Sequence, residues 1–229
     1  MSVKRMELSM GQAGMRKIGA IGGIAFVVLQ MAAQGLIQVG GLEPTFGAPA
    51  TDIVAFFQAR DARLVNLGDY LTALSSIAFL WFIGALWHEM RRVEREPGVL
   101  SMVAAGSGLI AVAVISAGSG WPLAVFRVEA GLEPQLARYL FDQGNYAFAT
   151  MWVFAASLML AAGLAGLRYG LLPGWMSWLG LVAAAGLLAV RFIWASPSGV
   201  VFLPYMLFWL WLIAVGVVFL RRPAPASAD

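Results

Sequence analysis

Apolar residues run through this chain in long blocks, with the polar positions gathered between them. A hydrocarbon core of ~30 Å requires about 20 apolar residues in helical form. Six blocks reach that length, near residues 18–40, 67–88, 100–124, 146–167, 174–195 and 200–220, each bounded by charge, Pro or Gly. The pattern predicts an all-α fold, a single polytopic membrane bundle of six transmembrane helices over residues 1–229. Ser196-Pro197-Ser198-Gly199 leaves room only for a tight turn, so the last two spans form an antiparallel hairpin.

Two connecting segments carry a pattern of their own. After Thr51-Asp52, a helix-start signal, Ile53, Phe56, Phe57 and Leu64 recur at helical spacing among Gln58, Arg60, Asp61 and Arg63. In residues 131–144 Pro134 suits a first helical position, and Leu136, Tyr139, Leu140 and Phe141 make a second apolar stripe. These predict two short amphipathic helices that lie on the outer membrane surface or cap the bundle. Both segments contain Gly-Leu-Glu-Pro, at 41–44 and 131–134, and both enter the next span through similar phrases, Gly68-Asp69-Tyr70 and Gly144-Asn145-Tyr146. Either spans one–two and three–four form a degenerate repeat in which Asp69 matches Asn145, or the phrases coincide by chance in a chain with 26 glycines.

Composition sharpens this picture. The 229 residues are 61% hydrophobic and 12% charged, against about 25% charged in soluble domains. An ordinary soluble domain, a disordered chain and a disulfide-stapled secreted module are all excluded. The net charge of +3 is explained by topology. With the N-terminus inside, ten basic residues fall on inner segments (among them Arg16, Arg91, Arg92, Arg221 and Arg222) and five on outer ones: Arg60, Arg63, Arg127, Arg138 and Arg191. That bias predicts both termini in the cytoplasm and a multi-pass protein of the plasma or inner membrane. It gives no reason to expect a nucleic-acid partner. Trp87, Trp121, Trp175 and Trp178 fall near span boundaries, as an aromatic belt requires. The first apolar block is too long for a cleaved signal peptide, and the reading retains it as a helix.

The polar residues inside the spans are the informative ones, since each must find a partner or water. Gln30, Gln34 and Gln38 recur every four residues, so successive side chains drift only ~40° and share a face. Asp69, Thr72 and Ser76 share a face of span two, and Arg191 lies one turn from the outer end of span five. Asp69 and Arg191 fall at similar depth, in the same outer third as Arg127, Asp142 and Asn145. Two readings follow. In one, Gln30, Gln34, Gln38, Asp69 and Arg191 line an outward-facing polar pocket that binds a ligand. In the other, Asp69 and Arg191 form a structural bridge while the glutamines join helices.

Catalytic readings fail on inventory. Span three is rich in small residues around Ser107 and Ser119, but His88, the single histidine, belongs at the cytoplasmic end of span two. That is roughly 20 Å or more from Ser119 at helical rise. Close helix packing, with Gly19 and Gly23 as a further instance, accounts better for the small residues. One histidine and no cysteine leave no paired haem ligands, thiolate metal site or cysteine nucleophile. No phosphate-binding glycine loop with a lysine is present. Neither enzyme activity nor a cofactor is expected.

Leu171-Leu172-Pro173-Gly174-Trp175-Met176-Ser177-Trp178-Leu179-Gly180 resembles the opening of the penultimate helix in a group of small bacterial six-span proteins classed as a domain of unknown function. Asp52-Ile53-Val54-Ala55-Phe56-Phe57 followed by Ala62-Arg63-Leu64 fits the same group. The resemblance implies a six-helix membrane protein and supplies no ligand residues. The expected partners are the lipid bilayer, a small solute or lipid-like molecule, and other membrane subunits or further copies of the chain. Binding or transport of such a molecule and a non-catalytic role within a larger membrane complex are the two functions that the sequence leaves standing.

Overall fold

In the computed structural model, which describes residues 3–41, 43–94, 97–118, 120–196 and 199–222, helix accounts for most of the described residues. The elements are α1 (Val3–Ile37), α2 (Ala50–Gln58), α3 (Ala62–Glu94), α4 (Val99–Ala117), α5 (Trp121–Val128), α6 (Pro134–Tyr169), α7 (Gly174–Phe192), a 3₁₀ turn (Gly199–Phe202) and α8 (Leu203–Arg221). Six helical stretches are long and apolar enough to cross a membrane: Gly14–Ile37, Ala62–Glu94, Val99–Val128, Pro134–Tyr169, Gly174–Phe192 and Val200–Arg221. The all-α bundle predicted from the pattern is the fold observed.

The helices close into a ring. α1 packs on α3, α3 on α4, α4 on α6, α6 on α7, α7 on α8, and α8 returns to α1. Glycines stand at the seams, because hydrocarbon gives helices little reason to associate beyond close packing. A Cβ on Gly22 would lie 2.5 Å from the Ala78 carbonyl oxygen of α3, and one on Gly216 would lie 2.9 Å from the Ala20 carbonyl oxygen of α1. Phe79, Phe82, Trp152, Phe208 and Trp211 fill the interior. Ser107 donates to Ser157 (2.7 Å) across the α4–α6 seam, a packing role for the small-residue span. Ser119, Pro197 and Ser198 lie outside the described residues.

Two boundaries differ from the sequence pattern, each for a physical reason. The third span is not one helix to residue 124: α4 ends at Ala117, and α5 is a separate helix. Pro122 has no N–H for the ladder and its ring clashes with the carbonyl four residues back, that of Gly118, so an apolar run continues where a helix cannot. The second predicted amphipathic helix is not separate either. It is the start of α6, which runs unbroken for 36 residues, ~54 Å at helical rise. Pro134 occupies its first turn, and the Glu133 carboxylate caps it by accepting from the Leu136 N–H at 3.0 Å. Gly170, with φ +68°, ends it. Because the polar first turns project past the apolar block, hydropathy alone misses them.

The stretch after His88 continues α3 as a charged helix end, to Glu94. Arg92 pairs with Glu89 at 3.0 Å, three residues apart. The charges also reach between helices. Glu94 accepts from the N–H groups of Leu100 and Ser101 and so caps α4 from the preceding helix. Glu89 also faces Arg222 at 3.8 Å, Arg222 donates to the Leu171 carbonyl before α7, and Arg16 donates to the Arg222 carbonyl at 2.7 Å. The start of α1 and the end of α8 therefore share one end of the bundle, the termini end. α2, α5 and the first turns of α6 gather at the other, the loop end.

Candidate functional site: a polar and aromatic cavity at the loop end

A cavity of about 340 Å³ opens inside the ring at the loop end, at the small end of the ~300–1,000 Å³ typical of ligand sites. Gln30, Gln34 and Gln38 of α1 line it, with Asp69 and Thr72 of α3, Glu43 of the α1–α2 loop and Asn145 of α6. Trp121 of α5, Phe148 of α6, Phe202 before α8, and Tyr205 and Trp209 of α8 complete its wall. Four of the five residues singled out from sequence thus meet in one place. The glutamine face does so because its four-residue spacing keeps the amides on one side of α1.

Arg191 is elsewhere. α7 contributes nothing to this cavity; in the ring it stands between α6 and α8, and its last turn faces the outside of the loop end. The Arg191 guanidinium lies over the rings of Tyr146 (4.9 Å) and Trp194 (5.9 Å) rather than pairing with Asp69. Equal depth in the membrane placed the two charges together on paper, but depth says nothing of position around the ring. Tyr146 and Trp194 also line a shallower cleft with Phe46, Tyr139, Asp142 and Gln143. Trp121 is no belt residue: it stacks on Phe141 at 5.6 Å with planes 11° apart, facing the cavity. Trp87, Trp175 and Trp178 remain exposed.

The residue that sequence reading passed over is Glu43. A loop carboxylate reaches an interior cavity only if its backbone is held, and two arginines hold it. Arg60 donates from Nη1 to the Phe56 carbonyl (3.0 Å) and from Nη2 to the Gly41 carbonyl (3.1 Å), with its guanidinium 3.4 Å over the Phe56 ring. Arg138 donates to the carbonyls of Phe46 (2.8 Å) and Ala48 (3.1 Å). Irregular backbone needs such partners where no ladder supplies them. Gly40, at φ +113°, makes the reversal, and a Cβ there would meet the Ala59 carbonyl oxygen at 2.6 Å. The signal in the sequence was Gly-Gly before Leu-Glu-Pro, with Arg60 two residues after α2.

Beneath this loop α2 caps the bundle. Its apolar face of Ile53, Phe56 and Phe57 packs on Val125 and Val128 of α5 and on Ala137, Leu140 and Phe141 of α6. Of the two placements expected for the amphipathic segment, the cap is the one adopted. Glu43 accepts a hydrogen bond from Asn145 and lies near Arg60; burial nonetheless outweighs both and pushes its carboxyl above the ordinary 4.5. The same burial lowers Arg60 from its usual value, opposed by the charge of Glu43.

The suggested repeat has a structural counterpart in element order: α1–α2–α3 and α4–α5–α6 are each long, short, long. Asp69 and Asn145 both face the cavity from the third element of their set. The Gly-Leu-Glu-Pro phrases are not equivalent, since the first precedes a short helix and the second follows one. Comparison with protein-family models, curated proteins and solved structures gave no match.

Proposed function

We propose that this chain is a membrane protein that binds or transports a small solute or lipid-like molecule in the loop-end cavity, entered from the outer face. The observation that carries this reading is the convergence of Gln30, Gln34, Gln38, Asp69, Glu43 and Asn145, spread over more than a hundred positions of sequence, on one cavity. Amides and carboxylates facing the interior of a bundle that lipid surrounds are costly, Gln30 most of all because it is buried, and a cavity that takes a polar ligand offsets that cost. The chain acts by binding and, on this reading, not as an enzyme; it needs no cofactor, and its host is a bacterial plasma or inner membrane with both termini cytoplasmic.

Two experiments test this. Native mass spectrometry of the protein released from mild detergent is expected to show a bound small molecule or lipid beyond the bare chain. Asp69→Asn is expected to abolish that adduct while the thermal midpoint and yield stay near wild type. If Asp69→Asn only lowers the yield, Asp69 is structural and the pocket reading fails; co-purifying protein subunits in place of a small ligand favour a role in a larger complex. For orientation, the absence of cysteine gives a clean background. Gly47→Cys, at an exposed loop position, is expected to react with a membrane-impermeant maleimide in intact cells, and Arg221→Cys only after permeabilisation. The reverse labelling pattern overturns the orientation.

A further inference from the structure

We propose, resting on the binding reading above, that the cavity is built for an organic cation: an ammonium group held by Glu43 and Asp69, with an apolar body laid against Trp121, Phe148, Tyr205 and Trp209. Charge is the first argument. Among the described residues two carboxylates line the cavity and no Lys, Arg or His does. The nearest base acting on Glu43, Arg60, commits both of its terminal nitrogens to backbone carbonyls and its face to Phe56. A ligand bringing positive charge therefore meets acceptors on several sides.

Gln30 is the second argument, and it is independent of the acids. It is 5% exposed and lines the cavity from the most deeply set position on α1. Its Oε1 has no hydrogen-bond partner among the described residues. A buried amide oxygen left without a donor bears the full desolvation penalty with no bond to offset it, and an N–H of the occupant supplies that donor. The aromatic wall is the third. Tyr205 lies 4.9 Å from Trp209 and 5.0 Å from Phe148, ring centroid to centroid, so π-faces and edges crowd one side. Such walls attract ammonium groups through the ring quadrupole. An inorganic anion finds the wrong charge here, and a bare metal ion leaves most of a 340 Å³ space and its aromatic side unused.

The occupant should also be linked to protons. Glu43 faces Asn145 of α6 and the Arg60 guanidinium, and it shares the cavity with Asp69 of α3. α1 presents the neutral amides of Gln34 and Gln38, and α5 the indole of Trp121. Burial holds the Glu43 carboxyl above 4.5 in the empty site, so a cation that favours the carboxylate releases a proton on binding. Affinity then rises as pH increases through the raised value of the empty site and levels off above it.

The test uses full-length protein in detergent and three probes of similar shape: benzyltrimethylammonium, the neutral neopentylbenzene and the anionic phenylmethanesulfonate. Binding is read by quenching of tryptophan fluorescence, since Trp121 and Trp209 line the site. The cation is expected to bind saturably and at least about tenfold more tightly than the other two. Because benzyltrimethylammonium does not titrate, any rise of its affinity with pH belongs to the protein. Glu43→Gln is expected to weaken it about tenfold and to flatten that pH profile. Equal binding of all three probes overturns the cation preference and leaves the cavity reading standing. Absence of saturable binding by any probe overturns the cation site, while the native mass measurement decides separately whether the cavity holds a ligand. The probe series needs no variant, so misfolding of Glu43→Gln cannot hide a negative result.

Discussion

Replacing Gly22 by alanine is expected to destabilise the bundle by ~1–3 kcal/mol, while the same change at Gly35, thirteen positions on in the same helix, leaves it within about 0.5 kcal/mol or slightly stabilised. The contrast isolates packing from helix propensity, which favours alanine equally at both sites. At Gly22 a Cβ would stand 2.5 Å from the Ala78 carbonyl oxygen and 3.2 Å from the Phe82 nitrogen, both backbone atoms of α3. Backbone inside a helix cannot swing aside, so α1 and α3 must separate along their seam. Gly19, whose Cβ would meet the Ala85 Cβ at 2.0 Å, loads the same seam, and Gly19→Ala with Gly22→Ala should not purify as folded protein. At Gly35 nothing lies within 4 Å of the added atom. Unfolding of the purified variants by heat or by denaturing detergent ranks them, and equal midpoints for Gly22→Ala and Gly35→Ala sink the close-contact account of the ring.

How far the sequence carries depends on what each feature responds to. Span positions were legible because a bilayer imposes one length on every helix. The first span was placed at 18–40 and is found at Gly14–Ile37. Helix ends beyond the membrane were not, because the first turns of α6 are polar and hydropathy ignores them. The Gly118–Pro122 break was written in the sequence, but its apolar surroundings masked it. For the site, periodicity within each helix was enough to set the three glutamines on one face of α1 and Asp69 with Thr72 on one face of α3. Arg191 could not be placed, because the relation between two helices depends on the order of the ring and not on depth. Glu43 was harder still. Its position follows from Arg60 and Arg138 gripping loop carbonyls, and neither local spacing nor composition encodes such a grip.

Glu89→Gln is expected to lower stability by about 1–3 kcal/mol and to loosen the termini end while leaving the loop-end cavity intact. Glu89 is 3% exposed, and its Oε2 lies 3.0 Å from Arg92 and 3.8 Å from Arg222. Removing a fully buried partner costs about 3–5 kcal/mol. Here the two arginine side chains are 40% and 25% exposed, so water screens the charges left behind and the lower range applies. The consequence reaches function because the cavity lies at one end and this network closes the other, beneath a layer of Phe82, Leu86, Met90 and Phe219. Passage across the membrane requires the termini end to part, whereas simple binding never does. Faster hydrogen exchange over 84–94 and 212–221 in Glu89→Gln, with unchanged ligand binding, is the expected result. A double-mutant cycle with Arg222→Met shows whether the contact itself is responsible. If the two substitutions cost only the sum of their separate effects, Glu89 and Arg222 do not act as a pair, and the termini end is held by its apolar layer alone.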